Sequence, residues 1–211
     1  TETDAFTFSG SDSDLMIARL AESSSSTEPL LRLYGSDGVQ IDGDGDYSLA
    51  QLPVTDLPGS GTYTLLVMDN PGLDTGGYSL HIQRINNPVG AATLSYGETV
   101  TNSVAQRAQT RAYTLTADAG DRVLLRMAED AATTGITVQM RLYQSDGTVV
   151  ASQSGSSTAE LNTVEIPATS TYTLLAMDLY GTGTGDYWLH CQSTNDPAGA
   201  LMLSYGESHD D

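Results

Sequence analysis

The chain lacks lysine altogether, has one cysteine and contains no apolar run near the ~18 residues of a membrane-crossing helix. Each absence closes a route. Without lysine there is no side-chain amine for Schiff-base chemistry, and phosphate clamping falls to arginine alone. With Cys191 as the only cysteine, an intramolecular disulfide is excluded, while oxidising surroundings stay permitted. The lack of apolar runs predicts no membrane insertion. The opening TETDAFTFSG has neither the basic nor the apolar segment of a secretory signal, so the signal of an exported protein would lie outside this sequence. Positive charge is scarce too: eight arginines face 27 acidic residues, a formal net charge of -19. That balance makes nucleic acid and anionic membrane surfaces poor partners and favours solubility in salt or the binding of divalent cations.

What is present is a repeat. RLYGSDG (Arg32 to Gly38) returns as RLYQSDG (Arg141 to Gly147), and TYTLLVMD (Thr62 to Asp69) returns as TYTLLAMD (Thr171 to Asp178), both 109 residues later. The same offset pairs GYSLH (Gly77 to His81) with DYWLH (Asp186 to His190), and LSYGE (Leu94 to Glu98) with LSYGE (Leu203 to Glu207). Nearer the start, Ala5 to Phe8 matches Ala112 to Leu115 at an offset of 107, so two residues were gained in the loop before RLY. Loops accept such changes, whereas a slip within a strand would exchange its buried and exposed faces. Within each copy short Thr-, Tyr-, Val- and Leu-rich runs end at Gly and Asp turns, the pattern of strands. Tyr63 to Met68 is apolar on both faces and is predicted to lie centrally in a sheet. Tyr78, Leu80 and Ile82 are predicted to face inwards, with Ser79, His81 and Gln83 outwards. The expected fold is all-β: two tandem antiparallel β-sandwich domains of jelly-roll or immunoglobulin-like type, spanning residues 1–92 and 93–211. Residues 93–112 are expected to supply a leading strand to the second copy that the first copy lacks.

The segments YTLTADAGDRVLLRM (Tyr113 to Met127), RLYQSDGTVVAS (Arg141 to Ser152) and IPATSTYTLLAMD followed by GTGDYWLH (Ile166 to His190) resemble the bacterial pre-peptidase C-terminal domain family. The first copy departs from that pattern at SGSDSDLMIARL, where the Gly-Asp turn is loosened. The resemblance implies small β-sandwiches carried by secreted proteases and other surface proteins, often in tandem, some binding calcium or extracellular polymers. It implies a binding or spacer role and no catalytic residue.

Several constellations are candidates for chemistry. Asp42, Asp44 and Asp46 alternate with glycine, which would let three carboxylates converge on Ca²⁺; a solvated acidic hairpin tip fits them equally. Tyr47 and Pro53 stand where an EF-hand requires Gly and Glu, so this is no EF-hand. Asp69, Asp74, Asp178 and Asp186 cluster at strand ends as cation ligands or, more simply, as caps of backbone amides. His81, His190 and His209 read as surface residues, and Cys191 as a small core residue without partners for catalysis. The serine runs Ser23 to Ser26 and Ser154 to Ser157 lack a nucleophile elbow. Tyr63 and Tyr172 suggest a structural tyrosine corner. Trp188, beside His190, is predicted to face outwards as a ligand or interface residue. These residues predict a non-catalytic extracellular or cell-surface protein, a repeat of a stalk or filament assembled by strand exchange and stabilised by calcium. Its partners would be copies of itself or adjoining repeats of the same chain. The alternative is an accessory module that targets a secreted peptidase or other hydrolase to extracellular polysaccharide or protein polymer.

Overall fold

The computed structural model describes residues 3–23, 27–70, 72 and 76–210, and no helix occurs among them. The first copy forms β1 (Thr3–Gly10), β2 (Leu15–Glu22), β3 (Pro29–Tyr34), β4 (Gln40–Gly45), β5 (Leu49–Asp56), β6 (Gly61–Asp69) and β7 (Tyr78–Arg84). The link carries β8 (Ala92–Thr93) and β9 (Glu98–Val104). The second copy continues with β10 (Thr110–Ala117), β11 (Arg122–Glu129), β12 (Val138–Tyr143), β13 (Val149–Gly155), β14 (Thr158–Glu165), β15 (Ser170–Asp178) and β16 (Gly185–Ser193). Glycine sets the turn between β3 and β4 and its equivalent between β12 and β13: Gly38 and Gly147 take φ of 78° and 83°, the left-handed region in which a side chain is costly. Each donates its N–H back to Gly35 or Gln144.

The strands make four sheets, ordered β1-β6-β3-β4, β5-β2-β7, β13-β12-β15-β10-β8 and β14-β11-β16-β9. All pairings are antiparallel except the two-residue β8, which runs parallel to β10. The boundary expected between residues 92 and 93 therefore falls inside a strand of the third sheet. Alternation along the strands sends Ala18, Leu20, Leu33, Leu52, Tyr63 and Leu65 into a core between the first and second sheets. The equivalent residues Leu125, Met127, Leu142, Leu161, Tyr172 and Leu174 fill the core between the third and fourth. As predicted, β6 lies between β1 and β3, and β15 between β12 and β10. Both corner tyrosines donate to the carbonyl four residues earlier, Tyr63 to Gly59 and Tyr172 to Ala168.

A third apolar cluster is formed by Ile17, Ile85, Ala112, Tyr143, Leu175 and Met177. It joins the outer face of the second sheet to the outer face of the third. The four sheets are thus stacked in series, and β2 and β15 are covered on both faces. The two faces of β7 alternate as predicted, Tyr78 and Leu80 packing on the first core, but their exposure is not the expected one. His81 and Gln83, expected outside, are covered by the second copy, whereas Ile82, expected inside, is 38% exposed. The physical cause is twofold: a sheet packs on the outer face, and no strand flanks the free edge of β7 among the described residues.

Candidate functional site

The contact between the copies is built around a cation. Arg19 sits in the middle of LMIARLAE, on the face of β2 opposite Ala18 and Leu20, and is fully buried. Its Nη2 donates to the carbonyl of Asp178 at 2.7 Å and to that of Leu179 at 3.4 Å, Nη1 donates to the carbonyl of Ala108 at 3.4 Å, and Nε donates to Gln51 Oε1 at 3.1 Å. Burial pulls its pKa down to about 10, a fall resisted by the nearby Asp178. An arginine still ionised under a dry interface must have its donors matched, and here backbone carbonyls of the neighbouring copy do most of the matching. Thr173 Oγ1 donates to the Ile85 carbonyl at 2.7 Å, and Arg107 Nη1 to the Glu22 carbonyl at 2.9 Å, adding further ties across the contact.

His81 lies in the same contact, 2.9 Å from Thr110 Oγ1. Burial first, then the charges of Arg19 and Arg111, lower its pKa to about 4. A histidine that stays neutral in the fold but is protonated when unfolded leaves stability intact above pH 6.5 and removes it as the pH falls towards 4. The penalty reaches roughly 3 kcal/mol at the lower end. Urea melts of the wild type and His81→Gln across pH 7 to 4 should therefore converge in slope only above pH 6.5, with the variant less acid-sensitive. Equal acid sensitivity would contradict the assignment.

The predicted acidic site is dispersed. Asp42 Oδ2 accepts from the Thr55 hydroxyl at 2.9 Å, and its Oδ1 from its neighbour Gly43 N–H. Asp44 Oδ2 accepts from the Gln51 N–H at 2.7 Å, and Asp46 Oδ1 from the Tyr47 N–H. Asp42 and Asp44 thereby tie the edge strand β4 to β5, closing one side of the first sandwich. Among the described residues no group of three or more acidic, histidine or cysteine side chains is placed to hold a metal. Thermal melting with and without a chelator tests the expected calcium: a fall in melting temperature reversed by Ca²⁺ would support it, and no shift would remove it.

The other candidates take structural places. Asp69 Oδ1 accepts from Glu28 N–H and Oδ2 from Gly72 N–H; Asp178 accepts likewise from Thr137 and Gly183. Both cap backbone amides. Asp186 is tied through its main chain, its N–H donating to Thr133 Oγ1 and its carbonyl accepting from Asp130 N–H, and Asp74 and Ser24 to Ser26 lie outside the described residues. Cys191 is fully buried, and burial raises its pKa to about 12, so it is no nucleophile. His190 contacts Thr99 Oγ1 at 2.8 Å on the outer face of the fourth sheet, and His209 is exposed. Trp188 is 49% exposed on that same sheet, opposite Ala128 and Thr101.

Sequence reasoning missed Arg19. Its equivalent in the second copy, Arg126, lies in RVLLRMAE, has a half-exposed side chain and pairs with Glu160 at 3.8 Å. The two arginines share a strand position, so nothing local separates them. The available signal was Gln51, an amide where the second copy has the charged Glu160: a neutral partner beside a lone arginine indicates a dry setting.

The link between copies completes the second one. Leu94, 2% exposed, enters the core with Leu115, Val123 and Cys191, and its N–H donates to the Thr114 carbonyl at 2.9 Å. Tyr96 donates to Asp121 Oδ2 at 2.7 Å, and Gly97 N–H to the Cys191 carbonyl at 2.8 Å. From Glu98 the chain runs as β9 along the edge of β16, the leading strand that the sequence predicts.

No family model matches the chain, and no curated protein matches it. Among solved structures it is similar to the pre-peptidase C-terminal domain of a Bacillus anthracis collagenase, at 19% identity over 50% of this chain and 98% of that one, with a TM-score of 0.43. It is also similar to a periplasmic inhibitor of g-type lysozyme from Aeromonas hydrophila, at 11% identity over 48% and 96%, TM-score 0.36. A third is the N-terminal tandem of CBM22 domains from Paenibacillus barcinonensis Xyn10C, at 10% identity over 89% and 82%, TM-score 0.28.

Proposed function

We propose that this chain is a non-catalytic extracellular structural repeat, a stiff unit of a surface stalk or filament. The observation that carries this reading is the buried contact between the copies. Flexibly joined modules meet through polar, hydrated surfaces, whereas these meet through a dry apolar cluster and a fully buried arginine. Stacking of that kind transmits bending and tension from one sandwich to the next, as in other linear repeat arrays. The residues with displaced pKa values support a structural role: Arg19 and His81 belong to the contact, and Cys191 and Tyr187 to the second core. Electron microscopy and sedimentation of the purified chain over a range of concentrations test the reading. Linear assemblies are expected; a monomer at every concentration would overturn it.

Trp188 favours a second reading, an accessory module that binds extracellular polysaccharide or protein polymer. A half-exposed indole on a sheet surface suits stacking against a sugar ring or a neighbouring protein. Pull-down on cellulose, chitin, xylan and collagen should then show binding that Trp188→Ala abolishes. Absence of binding, or binding unchanged by the substitution, removes this reading.

A further inference from the structure

The seat that holds Leu94 to Glu98 in the second copy has an empty counterpart in the first. Phe8, Asp14, Met16, Leu57, Ile82 and Val89 line a cavity of about 310 Å³. At the repeat offsets of 107 and 109 these positions match Leu115, Asp121, Val123, Ile166, Cys191 and Ala198. In the second copy Leu115 and Cys191 are covered, whereas their counterparts Phe8 and Ile82 are part-exposed, Ile82 by 38%. Asp14 keeps the posture of Asp121, each accepting through Oδ2 the N–H of the residue three before it. Arg84, at the position of Ser193, is the one charge added to the rim, where it pairs with Asp14 at 3.4 Å.

The segment that fills the seat also recurs. Leu203 to Glu207 repeats LSYGE, yet Leu203 is 59% exposed and Tyr205 wholly so. It already holds the seated shape. Ser204 N–H donates to Glu207 Oε2 at 2.8 Å and Glu207 N–H to the Ser204 carbonyl, as Ser95 and Glu98 do. Gly206 has φ of 90° and Gly97 of 81°. A plug held in its bound conformation loses little entropy on docking.

We propose that Leu203 to Glu207 of one copy seats in the cavity beside Asp14 on a second copy of this chain. Leu203 fills the apolar floor, Tyr205 donates to Asp14, and Glu207 opens a short strand along the free edge of β7. This rests on the filament reading and names the contact that would build it. The sheets agree with it. The first sheet presents Ala5, Tyr34, Leu66 and Met68 where the third buries Ala112, Tyr143, Leu175 and Met177. The fourth presents Leu124, Arg126 and His190 where the second buries Ile17, Arg19 and His81. One head-to-tail step thus reproduces the internal contact between unlike faces, and a heterologous step of this kind extends without closing.

The test is the full chain carrying Ile82→Cys and Glu207→Cys, the equivalents of the cross-strand partners Cys191 and Glu98. The native Cys191 is buried and does not compete. Mild oxidation should give a ladder of disulfide-linked oligomers, absent from either single variant. In a second arm, Leu203→Asp should raise the concentration needed for assembly by about tenfold or more. A disulfide within one chain, or none, overturns the seat. Linear assemblies that survive Leu203→Asp and form no ladder sink this contact while leaving the filament reading intact, whereas loss of all assembly in the wild type removes both.

Discussion

Arg19→Ala should lower the stability of the chain by about 3 kcal/mol or more, and Arg126→Ala at the equivalent position by less than about 0.5 kcal/mol. Removal of the guanidinium takes away the donor that reaches the Ala108 carbonyl, leaves the Asp178 carbonyl with the Gly181 N–H at 3.3 Å, and opens a hole between the second and third sheets. Arg126 loses only a water-exposed pairing with Glu160. Arg19→Met, which keeps most of the stem volume, should fall between the two, separating the lost packing from the lost donors. Urea midpoints of the three variants measure this directly. Equal midpoints for Arg19→Ala and Arg126→Ala would show that the contact contributes nothing to the fold.

Leu94→Ala is expected to cost about 2–5 kcal/mol, the range for an aliphatic side chain removed from a packed core. Leu94 belongs to no strand, yet it is 2% exposed among residues of the third and fourth sheets. Leu203→Ala, the same change in the same LSYGE sequence, should leave the melting temperature of a dilute sample unchanged, because Leu203 is mostly in water. A concentrated sample should differ, since a seated Leu203 would then stabilise its neighbour by mass action. A Leu94→Ala chain as stable as the wild type would mean that the link is a tether and not part of the second core.

Much of this was legible in the sequence because it repeats itself. The all-β class, the central places of β6 and β15, the inward Cys191 and the corner tyrosines follow from patterns carried by both copies, and the leading strand β9 from the alternation within the link. Burial across the contact was illegible for the same reason. Arg19 and Arg126, or His81 and His190, stand in near-identical strands and differ only in what packs on them, which is a property of sheets distant in sequence. The acidic run is legible only as residue types: alternation of Asp and Gly satisfies a ligand pattern, while the donors that each carboxylate accepts from, in its own backbone or in β5, belong to the folded chain.

The free edge of β7 gives the molecule a direction. An exposed row of strand donors and acceptors invites any passing strand, and among the described residues β7 is left as an outer strand whereas its counterpart β16 is covered by β9. In the proposed head-to-tail contact the molecule has one receptive end and one donating end, and the two are chemically unlike. A chain carrying Leu203→Asp could still receive a neighbour but could not be received by one. Mixed into wild-type protein at a few parts per hundred, it would act as a chain terminator, shortening every polymer from one end and leaving the other free to grow.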